Sequence, residues 1–372
     1  MIEMTKILFF IEELRAGGAE KVLCNLVNAM DQNRFEITVQ TLWKADAAQF
    51  LNPGIRYRYC YAARGAITRV RSRVEALLGL TYRLHIRDDY DIECAYLECG
   101  ATKIMASSTN RHAKKLAWVH CDLQKKMHEP EGFVAKSKKW YQKYDKVICV
   151  SQNVKDAFDA MFDNAFDTCV LYNTVDDAQI RREAEKALPD WIRKRRLTAV
   201  TVGRLSNEKA YDRLLRVHHS LIARGIDYDL WIIGEGPDRP KLEESIVRNG
   251  LSESVKLLGY QTNPYPFMKE ADLLICSSHY EGFSTFVTEG LILGKPIVTT
   301  DCGGMRELLG DGKYGMIVEN EEKALEEGIQ KMQKSESLRE KYAALAHGRG
   351  SNFSAKRLTK QTEQYLLDLI ED

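Results

Sequence analysis

Short apolar runs punctuate this chain, each separated from the next by polar stretches or by apolar positions at helical spacing. In the first half the runs lie at 6–11, 37–43, 91–97, 115–119 and 146–150, and a last one at 169–172 reads as an edge strand. Between the first two, Val22, Leu23, Leu26, Val27 and Met30 form a single stripe, which predicts a helix over 19–30. The second half repeats the grammar, with strands expected at 198–202, 228–233, 255–258, 271–277, 296–300 and 315–318. Helices are expected there at 211–223, 240–249, 285–293 and 321–332.

Strands alternating with helices predict the α/β class, with parallel sheets and crossover helices in two doubly wound domains. The stretch 176–196 is charged and helix-prone and has no strand signal, so the joint falls there. The expected organisation is a first domain at 1–178, a linker at 179–196, a second domain at 197–352 and a terminal segment at 353–372. That segment carries Phe353, Leu358, Tyr365, Leu366 and Leu369, a helical pattern. A length of 372 residues suits two domains at roughly 150 residues each.

Composition narrows the function classes. Hydrophobic residues make up 44% and charged residues 29%, which excludes a disordered or low-complexity chain. Lys and Arg number 54 against 53 acids, so no global field draws the protein to nucleic acid. The apolar runs fall far short of the ~20 residues of a membrane helix. Residues 1–5, with an acid at Glu3, lack signal-peptide features, and a cytoplasmic address is expected. Of nine cysteines, Cys24, Cys94, Cys149, Cys169 and Cys276 lie in apolar stretches and read as small buried hydrophobes rather than disulfide or zinc partners.

Charge is nevertheless uneven. Residues 56–87 hold eight arginines and one acid, Glu75, and residues 103–146 hold eleven cations and four acids. With Trp140, Tyr141 and Tyr144 nearby, these are either solvated basic faces or patches that rest on an anionic leaflet.

In open parallel sheets ligands sit beyond the carboxyl ends of the strands, so the loops there carry the chemistry. After the first strand, Ala16-Gly17-Gly18-Ala19-Glu20 opens a helix, where backbone N–H groups can meet a phosphate or merely pack closely. After the strand at 198–202, Gly203-Arg204 and Lys209 place two cations across a turn, able to converge on a diphosphate or to stay solvated. The turn Gly234-Glu235-Gly236-Pro237 fails as a dinucleotide fingerprint, because Arg239 replaces the third glycine and no acid ends a strand some twenty residues on. Past the strand at 271–277, Glu281 sits in a loop with Gly282, Phe283 and Ser284, and Thr285 opens a helix that carries Glu289. Two carboxylates so spaced can hydrogen-bond sugar hydroxyls, and Gly282–Thr285 would offer N–H groups to a diphosphate. The triplets Asp89-Tyr90-Asp91 and Asp227-Tyr228-Asp229 stand at the starts of strands, the wrong end for a metal-bound donor.

The stretch from Glu281 to Glu289 resembles the E-x7-E motif of the family-4 retaining glycosyltransferases, which have the GT-B fold, two Rossmann-like domains facing a central cleft. Gly17-Gly18-Ala19-Glu20, Trp118-Val119-His120, Gly203-Arg204 with Lys209, Gly234-Glu235-Gly236-Pro237, and Gly303-Gly304 before Glu307 resemble that family in its order. The resemblance spans nearly the whole chain, leaving 44–90 unmatched, and it implies that the terminal helix at 353–372 crosses back onto the first domain. It implies that Arg204 and Lys209 hold a nucleotide diphosphate, Glu281 the donor sugar and Glu289 the ribose. Leu258, Gly259 and Tyr260 would lie beside the base, and His120 would face the donor sugar, unless it is a packed strand-end histidine. Neither cofactor nor metal is implied. The expected reaction moves a hexose or N-acetylhexosamine, UDP-linked by family precedent, to a glycan or polyprenyl-linked acceptor in surface polysaccharide assembly, with peripheral contact to the inner face of the plasma membrane. A sugar-nucleotide epimerase, a phosphorylase and a non-catalytic sugar-binding protein are the alternatives, and none has its own motif here.

Overall fold

The structure, a computed structural model, describes residues 4–14 and 17–371. It divides into two compact units, Met1–Val175 with Ala355–Asp372, and Asp176–Ser354.

Unit 1 is built on seven parallel strands: β1 (Thr5–Ile11), β2 (Phe35–Trp43), β3 (Arg56–Tyr61), β4 (Ile92–Ala95), β5 (Lys114–Val119), β6 (Lys146–Cys149) and β7 (Thr168–Val170). Their order is β3-β2-β1-β4-β5-β6-β7. Unit 2 holds six: β8 (Thr198–Val202), β9 (Asp229–Ile233), β10 (Val255–Leu257), β11 (Leu273–Cys276), β12 (Ile297–Thr300) and β13 (Met316–Val318), in the order β10-β9-β8-β11-β12-β13. Each sheet reverses direction of growth once, between β1 and β4 and between β8 and β11. The loops at those two points diverge and open a crevice.

Central strands are apolar because helices cover both faces of a parallel sheet; Ile7 to Ile11 are wholly buried. In unit 1 the helix α1 (Gly18–Ala29) follows β1, while α2 (Ala66–Leu77) and α3 (Thr81–His85) follow β3. The nine cysteines are free thiols, with Cys24, Cys94, Cys149 and Cys276 buried and Cys169 half-buried. Asp91 accepts from the Lys6 N–H at 2.7 Å, and Asp227 and Asp229 both pair with Arg196, so both Asp-Tyr-Asp triplets serve the amino ends of strands.

Three expectations change. The stretch 179–196 is not a free linker: the helix Asp177–Ala184 packs on the helices Tyr265–Glu270 and Thr285–Ile292 inside unit 2. Its charges are anchors, with Lys194 on Asp272 at 2.7 Å and Asn263 donating to the Glu183 carbonyl at 3.0 Å. Phe353 lies outside the terminal helix and packs edge-on against Phe283, 6.0 Å between centroids; the helix Ala355–Glu371 packs on α1 in unit 1, where Glu363 accepts from the Asp31 N–H at 2.6 Å. Tyr141 does not decorate a basic surface, because it is buried among Phe158, Phe162 and Phe166, and the Tyr144 hydroxyl donates inward to the Thr102 carbonyl.

The turn after β9 approaches the turn after β8 so closely that side chains are excluded. Gly234 has φ +145°, and a Cβ there would strike the Gly203 carbonyl; one on Gly236 would strike the Leu205 carbonyl. Leu205 N–H donates to Glu235 O, and Asp238 N–H returns to Leu205 O, both at 3.0 Å. Gly234→Ala is therefore expected to destabilise unit 2 by at least ~2 kcal/mol in urea unfolding, whereas Gly225→Ala, at φ +75° in open space, costs about 1 kcal/mol. Equal costs at the two sites would show that the close approach is not tight.

Candidate functional site

Unit 2 gathers its predicted residues where its sheet reverses. Lys209 ends the loop after β8 and Glu281 lies in the loop after β11, neighbouring strands on either side of the reversal. The Lys209 ammonium donates to Glu281 Oε1 at 2.6 Å, and the Ser278 hydroxyl donates to the same oxygen at 2.6 Å. Glu281 Oε2 has no partner among the described residues, so one carboxylate oxygen stays ready to accept. Lys209 is no solvated loop cation, since its side chain is 23% exposed and that of Glu281 11%. Burial alone would lower the lysine pKa, but the Glu281 charge outweighs it and holds the ammonium protonated above its ordinary range.

The two loops are also tied through their backbones. Glu208 O accepts from the His279 N–H at 2.8 Å, and the Ser277 hydroxyl donates to Lys209 O at 2.8 Å. Beneath them Arg213, buried on the helix Tyr211–Ala223, donates to the Ser277 carbonyl and to Asn320 Oδ1 at 2.8 Å; Asn320 in turn donates to His279 O. Arg213 was not among the predicted residues. Its signal is a guanidinium beside Leu214 and Val217 on a stripe that is otherwise apolar.

Gly282, Phe283, Ser284 and Thr285 form the turn into the helix Thr285–Ile292. Ser284 is its N-cap, Phe283 is buried, and Gly304, at φ +76°, brings the next loop against the Gly282 carbonyl. Glu289 is 4% exposed and accepts from the Tyr265 hydroxyl at 3.1 Å, so it is not an ordinary solvated helix acid. Leu258 and Gly259 lie beside the β9 turn, where Gly259 O accepts from the Gly234 N–H at 2.9 Å, and Tyr260 stands exposed. Arg204 is exposed and has no carboxylate partner among the described residues, so the two predicted cations differ: one is fixed, the other free to reach.

In unit 1, Gly17 is the N-cap of α1 and Gly18 its first residue; a Cβ on Gly17 would strike the Glu20 carboxylate. Ala16, part of the same predicted loop, lies outside the described residues. His120 follows β5 and is held from below by Glu98, a carboxylate that sequence reading missed. Glu98 is buried and accepts from the His120 N–H at 3.0 Å, the Cys121 thiol at 3.1 Å and the Lys126 ammonium at 2.7 Å. Burial would raise its pKa, but Lys126 brings it down to about 2. The His120 ring packs on Tyr96, 4.9 Å between centroids, and burial pulls its pKa to about 4 despite Glu98. It is neutral near pH 7, with Nε2 buried and unpartnered among the described residues.

The family model described as Glycosyl transferases group 1 matches residues 184–348, and that described as Glycosyltransferase Family 4 matches residues 16–179. An N-acetylgalactosamine-N,N'-diacetylbacillosaminyl-diphospho-undecaprenol 4-alpha-N-acetylgalactosaminyltransferase of Campylobacter jejuni is 27% identical over 98% of this chain and all of its own. The capsular polysaccharide biosynthesis glycosyltransferase CapM of Staphylococcus aureus is 27% identical over 44% of this chain and 43% of its own. Among solved structures, Anabaena HepE in complex with UDP superposes with a TM-score of 0.76 at 19% identity, covering 98% of this chain and all of that one.

Two measurements test this geometry. Lys209→Met should cost about 2–3 kcal/mol by stranding the Glu281 charge, and Lys209→Met with Glu281→Gln should recover at least ~1 kcal/mol in a double-mutant cycle; a coupling near zero would mean that the pair is not formed. The folded-state pKa values of His120 (about 4) and His218 (about 3) lie below the ordinary 6.5. Protons therefore bind the unfolded chain first, and stability should fall as pH drops from about 6.5 towards 4. His120→Asn should lose less over that interval, as read from unfolding midpoints.

Proposed function

The chain belongs to the family-4 glycosyltransferases and has the GT-B fold, and on that footing we propose that it moves a hexose or N-acetylhexosamine from a UDP-sugar, with retention, to a glycan or polyprenyl-linked acceptor in surface polysaccharide assembly. The observation that carries this reading is the Lys209–Glu281 pair at 2.6 Å. A sugar nucleotide presents a diphosphate and a ring of hydroxyls on either side of one bond, and an ammonium touching a carboxylate matches that junction. Lys209 keeps two further N–H groups for phosphate oxygen, and Glu281 Oε2 accepts from a sugar hydroxyl.

As the anomeric bond breaks, negative charge builds on the diphosphate and positive charge on the sugar. A cation already fixed by Glu281 and desolvated by its loop stabilises that separation more than it stabilises the bound donor. Arg204 adds a planar fork to the same phosphates, so the proposed reaction proceeds without a divalent ion. Glu289 is assigned to the ribose, Leu258, Gly259 and Tyr260 to the base, and Gly282–Thr285 together with Gly17 and Gly18 to the donor. Neutral His120 is assigned to a hydroxyl of the transferred sugar, which its buried, unpartnered Nε2 suits. No side chain is assigned as covalent nucleophile; the acceptor attacks from the side the diphosphate leaves, and a phosphate oxygen takes its proton.

For the acceptor, support comes from unit 1. A cavity of about 480 Å³ at the carboxyl ends of its first strands is lined by Trp43, Lys44, Phe50 and Arg64, with the Arg64 guanidinium 5.4 Å from the Trp43 ring. Glu13, which pairs with Arg64, and Asp46 also line it, so its aromatic faces and mixed charges suit the rings and hydroxyls of a glycan. The Campylobacter relative is named for a diphospho-undecaprenol-linked acceptor. Such an acceptor would be met by peripheral contact at the inner leaflet; no helix among the described residues is long and apolar enough to cross a membrane.

Calorimetry with UDP and UDP-sugars tests the assignment. Arg204→Ala and Lys209→Ala should each weaken binding about tenfold, the worth of one charge-assisted contact. Glu281→Gln should lower transfer at least ~100-fold with nucleotide binding retained, and EDTA should leave the rate unchanged. Unaltered nucleotide affinity in both cation variants would reject the diphosphate role.

A further inference from the structure

The helix α2 is amphipathic in the reverse sense. Its polar residues Ser72 and Glu75 face the protein and are buried. Glu75 accepts from the Tyr61 hydroxyl, from Arg71 Nε at 2.6 Å and from His85 Nε2 at 2.8 Å, a network that fixes the rotation of the helix. Its apolar residues Ile67, Val70, Val74, Leu77 and the C-cap Leu78 face solvent, between 48% and 84% exposed. Leu80 and Leu84 prolong the exposed set into α3. At about 100° per residue these five positions form one stripe, bordered by Arg69 and Arg73 on one side and Arg71 on the other. A stripe of this size has no reason to face water unless something covers it.

The charges say what covers it. Of the eight arginines between 56 and 87, Arg56, Arg58, Arg64 and Arg71 are spent on Glu36, Asp88, Glu13 and Glu75. Arg69, Arg73, Arg83 and Arg87 have no carboxylate partner among the described residues. Of these, Arg69 and Arg73 border the apolar stripe and Arg83 adjoins the exposed Leu84 on α3, while the sole acid of residues 64–87 is buried. A second copy of the chain would set these arginines against each other. We propose that α2 and α3 form the surface by which this protein docks on an anionic bilayer, the stripe entering the boundary between headgroups and acyl chains while the free arginines bind lipid phosphates. This deepens the function proposed above, because it names the element that brings unit 1 to a lipid-linked acceptor, and it rests on that reading for the acceptor alone.

The test is co-sedimentation of the full chain with vesicles of phosphatidylcholine alone or mixed with phosphatidylglycerol, with UDP binding measured on the same preparation. Binding to the mixed vesicles is expected, falling as salt rises. Ile67→Glu with Leu77→Glu should abolish it. Arg69→Gln with Arg73→Gln should weaken it about fivefold per arginine. All four positions are exposed, and UDP affinity should stay unchanged in every variant. Three results would overturn the proposal: no binding to either vesicle, equal binding to both with the arginine variants silent, or stripe variants that abolish self-association in solution and leave vesicle binding intact. Vesicle binding without UDP binding would sink the donor assignment and spare the surface; UDP binding without vesicle binding would do the reverse.

Discussion

A lysine and a glutamate brought together from two neighbouring strand ends set the rest of unit 2. An ammonium held mostly out of water is costly unless it meets a carboxylate, and Glu281 supplies one at 2.6 Å. The expense extends to the scaffold, because both loops must be held to within tenths of an ångström for the pair to form. Arg213, Asn320, Ser277 and Ser278 do this from below, and the glycines at 234, 236 and 304 let neighbouring backbones close in from the sides. Every one of these contacts serves a loop at the carboxyl end of the sheet.

Unit 1 solves a similar problem with other residues. Glu98, at the reversal between β1 and β4, takes three donors and so fixes the backbone that carries His120. A buried carboxylate with a lysine partner keeps a local negative charge beneath the imidazole, yet burial of the ring wins and leaves it neutral. The outcome is an acceptor nitrogen and not a second cation, which separates its chemistry from that of Lys209.

Much of this was legible because strands buried on both faces are written as apolar runs. Twelve of the thirteen strands overlap such runs, and the helix Tyr211–Ala223 matches its expected span. The strand β3 was illegible for the opposite reason: Arg56-Tyr57-Arg58-Tyr59 alternates charge and ring on a sheet edge, with its arginines satisfied by Glu36 and Asp88. The motif residues were readable by their place after strands. Arg213 and Glu98 were not, because each acts from underneath, and a buried charge in an apolar stretch declares its partner only once the chain is folded. The same blindness made Tyr141 look like part of a surface.

The terminal helix Ala355–Glu371 completes unit 1 although unit 2 stands between them in the chain. During synthesis, α1 keeps one flank wet until residues 355–371 have been made, whereas unit 2 is contiguous and can close earlier. The unit that begins second is therefore the first able to finish.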